Sequence, residues 1–134
     1  MKIRYLVPIA ALTLFCAVAT AGLVMPAAVT IDFTARSAQG DMNTARNSDD
    51  KVTYIGCNIA NSPGFPSGFC QAGVGAAAEQ QINCFTLDPA MLEAIHGISD
   101  FSFVRFTWNE SFECTRIYVS TQSFYLPDFK VNKK

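Results

Sequence analysis

The sequence predicts a mostly β domain, a small antiparallel β-sandwich or β-barrel with one short docked helix and two disulfides. Three observations carry that expectation. Several short runs alternate apolar and polar side chains and are separated by Gly, Pro, Asn and Asp clusters. Only Asp88 to Gly97 combines helical spacing with signals at both ends. Four cysteines, an even number, follow an apolar N-terminal leader.

The leader reads MKIRYLVPIAALTLFCAVATAG. Lys2 and Arg4 form a short positive region, an apolar run follows, and small residues flank Val18 and Thr20. This is the pattern of a secretory signal peptide, here residues 1–21, with cleavage expected after Ala21 or, close behind, Ala19. The rival reading is an uncleaved anchor, because apolar character continues through GLVMPAAV. Pro26 and the small-residue sites favour cleavage, so no stable membrane insertion is expected afterwards. Phe15 before Cys16 disfavours a lipoprotein, and Cys16 leaves with the peptide. The expected location is the periplasm or outside the cell.

Residues 22–134 then form one β-rich, disulfide-stapled domain. Its 8 basic and 11 acidic residues give a net charge of −3. The only basic cluster is the tail Lys130, Lys133, Lys134, so a nucleic-acid footprint is absent. A chain this short has a modest core and gains from cross-links. Among the three possible pairings, Cys57–Cys70 with Cys84–Cys114 joins arms that the strand pattern already brings together. Each bond contributes roughly 3 to 4 kcal/mol on the chain-entropy model. The spacings do not suit a zinc site, which calls for close Cys pairs.

Taken in order, AVTIDFT (Ala28 to Thr34) alternates as a half-buried strand with Val29, Ile31 and Phe33 inward. Ala35 to Asp50 is polar and mixed, and Asp41 to Arg46 fits either a short strand or a helical turn. Asn47 to Asp50 is a turn cluster without calcium-loop spacing. Lys51 to Ile59 is the clearest strand and, apolar on both faces, is expected to be central. Ala60 to Gly68, with two prolines and two glycines, is expected to be a loop in which Phe65 is a core plug or a partner contact. Phe69 returns along the first arm to Val74, and Gln81 to Leu87 is a short strand.

Asp88 caps the helix, Pro89 occupies its first position, and Met91, Leu92 and Ile95 form its apolar stripe. Gly97 is expected to end it in a left-handed turn. Phe101 to Trp108 and Phe112 to Ser120 form a C-terminal hairpin across Asn109 to Ser111, and Phe124 to Leu126 suits a last edge strand. Asn109-Glu110-Ser111 also fits a glycosylation acceptor, relevant only in a eukaryotic secretory path.

Residues able to carry chemistry are sparse. His96 is the only histidine and stands at a helix end, where its charged form is favoured. Ser99 and Asp100 follow too closely to converge on it as a triad. Carboxylates such as Asp32 and Glu113 leave a small hydrolase as an alternative. No phosphate loop, metal set or cofactor motif is present in the sequence. Arg105 and Arg116 are flanked by apolar residues in one hairpin, and with Tyr118 and Tyr54 would make a patch for an anion or carboxylate. The competing reading is a solvent face whose arginine stems cover aromatics. Ten phenylalanines outside the leader exceed what a small core hides, which points to a recognition face or weak self-association.

The run TIDFTARSAQGDMNTARNSDDKVTYIGCNI, with Cys70 in the returning segment and Phe103 to Cys114 in an aromatic hairpin, resembles a group of small exported bacterial proteins of uncharacterised function. The resemblance rests on Ala35-Arg36-Ser37, Gly40, Ala45 to Ser48 and Tyr54 to Cys57, and spans most of residues 22–134. It implies an envelope or secreted setting and assigns no activity.

The expected function is recognition rather than catalysis: a binding or inhibitory module for a protein or glycan partner, with Phe65, Arg105, Arg116 and Tyr118 as contacts. A carboxylate-dependent hydrolase and a self-assembling surface protein are the alternatives. The intact mass of the protein from its host is expected to match 22–134 or 20–134, four hydrogens light, with no alkylation before reduction. A full-length mass with alkylatable thiols overturns both export and pairing.

Overall fold

A computed structural model of the protein describes residues 22–127. The leader 1–21, the tail lysines and the cleavage sites lie outside the described residues. Seven strands form two antiparallel sheets. The first sheet has the order β1-β2-β6-β7, made of Thr30–Asp32, Ser37–Asp41, Phe103–Trp108 and Cys114–Ser120. The second has the order β3-β4-β5, made of Tyr54–Ser62, Phe65–Gly73 and Gln81–Thr86. Two short helices complete the fold, α1 (Met42–Arg46) and α2 (Pro89–His96). The result is a sandwich-like, mostly β architecture.

One core joins the two sheets. Ala38, Val104, Phe106 and Trp108 enter it from the first, and Ile55, Cys70, Ala72 and Ile82 from the second. Each helix touches both sheets, α1 against β2 and β3, and α2 against β7, β3 and β4. Helix α2 has the expected cap, with the Asp88 carboxylate accepting from the amides of Ala90 (2.8 Å) and Met91 (3.1 Å). Its Leu92 and Ile95 are buried. They come so close over Gly68 that a Cβ there would lie 2.7 Å from Ile95 Cδ1. The glycine of β4 is therefore the seat of the helix.

Both disulfides pair as the strand pattern implies. Cys57–Cys70 crosses directly between β3 and β4. Cys84–Cys114 joins β5 to β7, and so one sheet to the other.

Several expectations need correction. Strand β2 falls in the segment read as irregular. Its inward residues are Ala38 and Gly40, too small to stand out as an apolar face, yet both are buried. A Cβ on Gly40 would lie 2.9 Å from the Val29 Cα, so the N-terminal segment crosses directly over it. Asp41 to Arg46 resolves as the N-cap and helix α1. Strand β3 is an edge rather than a central strand.

The expected loop at 60–68 is instead the end of a β3–β4 hairpin. Ser62 pairs with Phe65, and Pro63-Gly64 makes a two-residue turn with Gly64 at φ +86°. Pro66 is accommodated in the exposed end of this hairpin, near its turn. Gly97 is right-handed (φ −76°), because its amide still bonds back into the last helical turn. Residues Ser123–Tyr125 form a 3-10 turn rather than a strand.

Asp41 is the one carboxylate in the buried interior among the described residues, 1 % exposed. It accepts from Thr44 N (2.6 Å), capping α1, and from Ala27 N (2.5 Å), fastening the N-terminal segment. Ala27 O in turn accepts from Asp41 N (2.9 Å). Asp41→Ala strips the cap and leaves two amides unpaired. It is expected to cost about 2–4 kcal/mol of unfolding free energy in urea titration, whereas Asp41→Asn keeps an acceptor and costs less.

Candidate functional site

Alternation along β2, β6 and β7 sorts the first sheet into an inner and an outer face. Ala38 pairs with Phe106, and Phe106 with Ile117, on the inner one. Gln39 pairs with Arg105, Arg105 with Tyr118, and Thr107 with Arg116, on the outer one. Arg105 and Arg116 are thus diagonal neighbours across the hairpin, roughly 7–8 Å apart along the backbone.

A β-bulge makes this arrangement possible. Cys114, Arg116 and Tyr118 have the same parity, so an unbroken strand would send all three to one side. The register shifts between Thr107 and Trp108, so that Trp108 pairs with Cys114 and Thr115 is the extra residue. Cys114 then points inward to its disulfide, while Arg116 and Tyr118 point outward. Thr115 and Thr107 meet at 2.8 Å through their hydroxyls on the exposed side.

The arginines open on a cleft of about 220 Å³ whose other walls include Gln39, Phe103, Thr107 and Tyr118. Phe103 is the aromatic centre. Its ring stacks on Tyr125 (5.5 Å, 17°) and meets Tyr118 edge-on (6.2 Å). Phe124 packs against Tyr125 at 4.5 Å. Burial pushes the Tyr125 phenol above its ordinary pKa, with Tyr118 and Asp41 adding to the rise, so it remains a neutral donor. Arg105 and Arg116 have no carboxylate partner among the described residues; the ion pair there is Arg36–Glu110 at 2.7 Å. Such an arrangement can hold a planar anion in the guanidinium forks and an apolar surface against the rings.

Of the contacts the sequence nominated, Arg105, Arg116 and Tyr118 share this cleft. Phe65 does not. It stands 76 % exposed at the tip of the β3–β4 hairpin, in the other sheet, and is no core plug. Tyr54 also belongs to the other sheet, where its hydroxyl donates to Gln81 Oε1 (3.2 Å). Phe103, Tyr125 and Gln39 were not singled out by sequence. The alternation of Phe103 with Arg105 was the available signal for the first. Pairing through β2 and the 3-10 turn, which bring the other two, leaves no local trace.

His96 is exposed at the end of α2. Asp32 accepts from the Ala35 amide (2.7 Å) and Glu113 from Asn109 Nδ2 (2.6 Å), each inside its own turn. Among the described residues no cluster of three or more His, Cys, Asp or Glu is placed to hold a metal, and no helix is long and apolar enough to cross a membrane.

A larger, open cleft of about 800 Å³ lies between α1 and the start of β3. Part of its polar lining is committed to the chain itself. Asn47 donates to Asn43 O, and Ser48 and Thr53 donate to Asp50. Arg46 and Lys51 also line it, exposed and without a carboxylate partner among the described residues. The Arg105–Arg116 cleft is the better candidate because its two guanidiniums are cross-strand neighbours beside the stacked rings of Phe103 and Tyr125. Comparison with protein-family models, with curated proteins and with solved structures gave no match.

The Asp50 turn at the rim of the larger cleft is open to a pH test. The Thr53 hydroxyl (2.6 Å), then the amides of Val52 and Thr53 (both 2.9 Å), hold its carboxyl far below the ordinary value of 3.8. A depressed folded-state pKa gives stability that is complete above the unfolded value and is lost as pH falls below it. The difference in urea midpoint between wild type and Asp50→Asn is therefore expected to be constant near neutrality. It should narrow steadily below pH 3.8.

Proposed function

We propose that the protein is an exported binding module that seats an acidic group of a protein or glycan partner in the Arg105–Arg116 cleft. Two arginines on one sheet face, without carboxylate partners among the described residues and beside an aromatic wall, are the observation that carries this reading. A guanidinium fork matches a carboxylate in plane and in number of donors. The Phe103, Tyr118 and Tyr125 rings offer a surface for the apolar face of a sugar or a side chain. The volume, about 220 Å³, suits one terminal group rather than a whole ligand. The leader-like N-terminus and two disulfides support an oxidising compartment as its place of work.

The test is titration with an acidic polysaccharide, an acidic peptide and a neutral polysaccharide. Saturable binding to an acidic probe is expected, weakened by added salt. Arg105→Ala and Arg116→Ala should each lower affinity about 10- to 100-fold, the range of hydrogen bonds to charged groups, with lysine at either position restoring only part. Binding that prefers the neutral probe, or that survives both alanines together, sinks the reading.

A further inference from the structure

The four cysteines of the domain form one row. Cys57 on β3 pairs in register with Cys70 on β4, and Cys70 pairs in turn with Cys84 on β5. Register partners point to the same side of a sheet, so these three side chains stand abreast across the whole second sheet. Cys114 extends the row from the first sheet through its bond to Cys84. The two disulfides are therefore neighbours, with Cys70 and Cys84 as the adjoining members.

The spacing of those two members suits a third bond. The Phe85 amide turns away from β4 and donates to Phe112 O (3.0 Å). By alternation, the preceding residue Cys84 turns its backbone groups toward Cys70. Partners that exchange both backbone bonds have Cα atoms about 5.5 Å apart, within the commonest range for disulfides. Cys70–Cys84 is thus an alternative cross-strand bond within the same sheet. Access differs along the row. Cys57 is half-buried on an edge strand, whereas Cys70, Cys84 and Cys114 are 0 %, 2 % and 6 % exposed. Cys57 is where an external thiol meets the row first.

We propose that the row is a thiol–disulfide relay: an external dithiol reacts at Cys57, and the relay releases Cys114, the β7 end of the bond between the sheets. A thiolate of the dithiol attacks Cys57 Sγ, the Cys57–Cys70 bond breaks, and Cys70 leaves as the thiolate. Cys70 Sγ then attacks Cys84 Sγ, the Cys84–Cys114 bond breaks, and Cys114 leaves as the thiolate. The second thiol of the dithiol resolves its mixed disulfide with Cys57. In balance, one dithiol is oxidised to its disulfide, its two hydrogens end on Cys57 and Cys114, and one protein disulfide, Cys70–Cys84, replaces two. Burial favours the second step, because it moves a thiolate from a fully enclosed position in the middle strand to the first residue of β7. The effect is felt at a distance. Reduction at the edge of one sheet unfastens it from the other, frees β3 and β7 and leaves β4 joined to β5. The relay operates whatever the arginine cleft binds.

The test is limited reduction of the oxidised, folded protein with substoichiometric dithiothreitol, trapping with excess N-ethylmaleimide, and peptide mapping in acid. Among molecules that have lost one disulfide, most are expected to carry label on Cys57 and Cys114 and a Cys70–Cys84 bond. Label mainly on Cys57 and Cys70 with Cys84–Cys114 intact, or mainly on any other pair, overturns the proposal. Cys57→Ser leaves Cys70 without its partner and is expected to show the Cys70–Cys84 bond and a labelled Cys114 with no reductant added. A labelled Cys70 beside an intact Cys84–Cys114 bond in that variant counts against the relay as well. Cys70→Ser removes the link, so Cys57 alone is expected to take label and Cys84–Cys114 to survive; label on Cys114 there means the bond opens without the relay. The wild-type map needs no substitution, so misfolding of a variant cannot decide the outcome.

Discussion

The Cys84–Cys114 bond is the constraint on which most of the molecule turns. It is the covalent tie between the two sheets, and both its cysteines must face the shared core. Cys114 lies at the start of β7, two residues before Arg116 and four before Tyr118. The strand meets the demand with one extra residue, Thr115, so that the inward cysteine and the outward arginine coexist. On the other side of Cys114, the tight turn that delivers the chain to the bond is the one that forces Phe112 into a left-handed conformation. The strand that presents the arginine cleft and the turn that strains Phe112 thus adjoin a single cross-link.

Much of this was legible in the sequence because the physics was local. Helix α2 announces itself through Asp88, Pro89 and the Leu92–Ile95 stripe, all within one stretch. The β6–β7 hairpin shows in the alternation of Val104, Phe106 and Trp108, and the cysteine pairing follows from which arms are adjacent. What stayed hidden depends on partners distant in sequence. Strand β2 is built on Ala38 and Gly40, whose smallness makes sense only once Val29 is known to cross over them. Prolines and glycines between Asn61 and Gly68 read as a loop. Two of them make a tight turn, Pro66 sits near the exposed hairpin end and Gly68 makes room for α2.

The candidate site shows the same division. Arg105, Arg116 and Tyr118 were recognisable because they share one hairpin. Phe65 was nominated separately, from its place between the prolines of an expected loop, and the sandwich sends it to the other outer face. The bulge at Thr115 could not be inferred either, since simple alternation puts Cys114 and Arg116 on one side. The two surfaces that result differ in kind. One concentrates positive charge beside aromatic rings, and the other excludes charge from three whole strands.

The disulfides also have a topological property: they are consecutive, with Cys57–Cys70 closed before Cys84 is reached along the chain. Loops of 13 and 30 residues neither overlap nor enclose one another. Counted from Cys57, joining each cysteine to the next along the chain gives the native pairing. Bonds in this order can close one after the other without reshuffling, and the hairpin of β3 and β4 can be locked before the strands of the second hairpin pair.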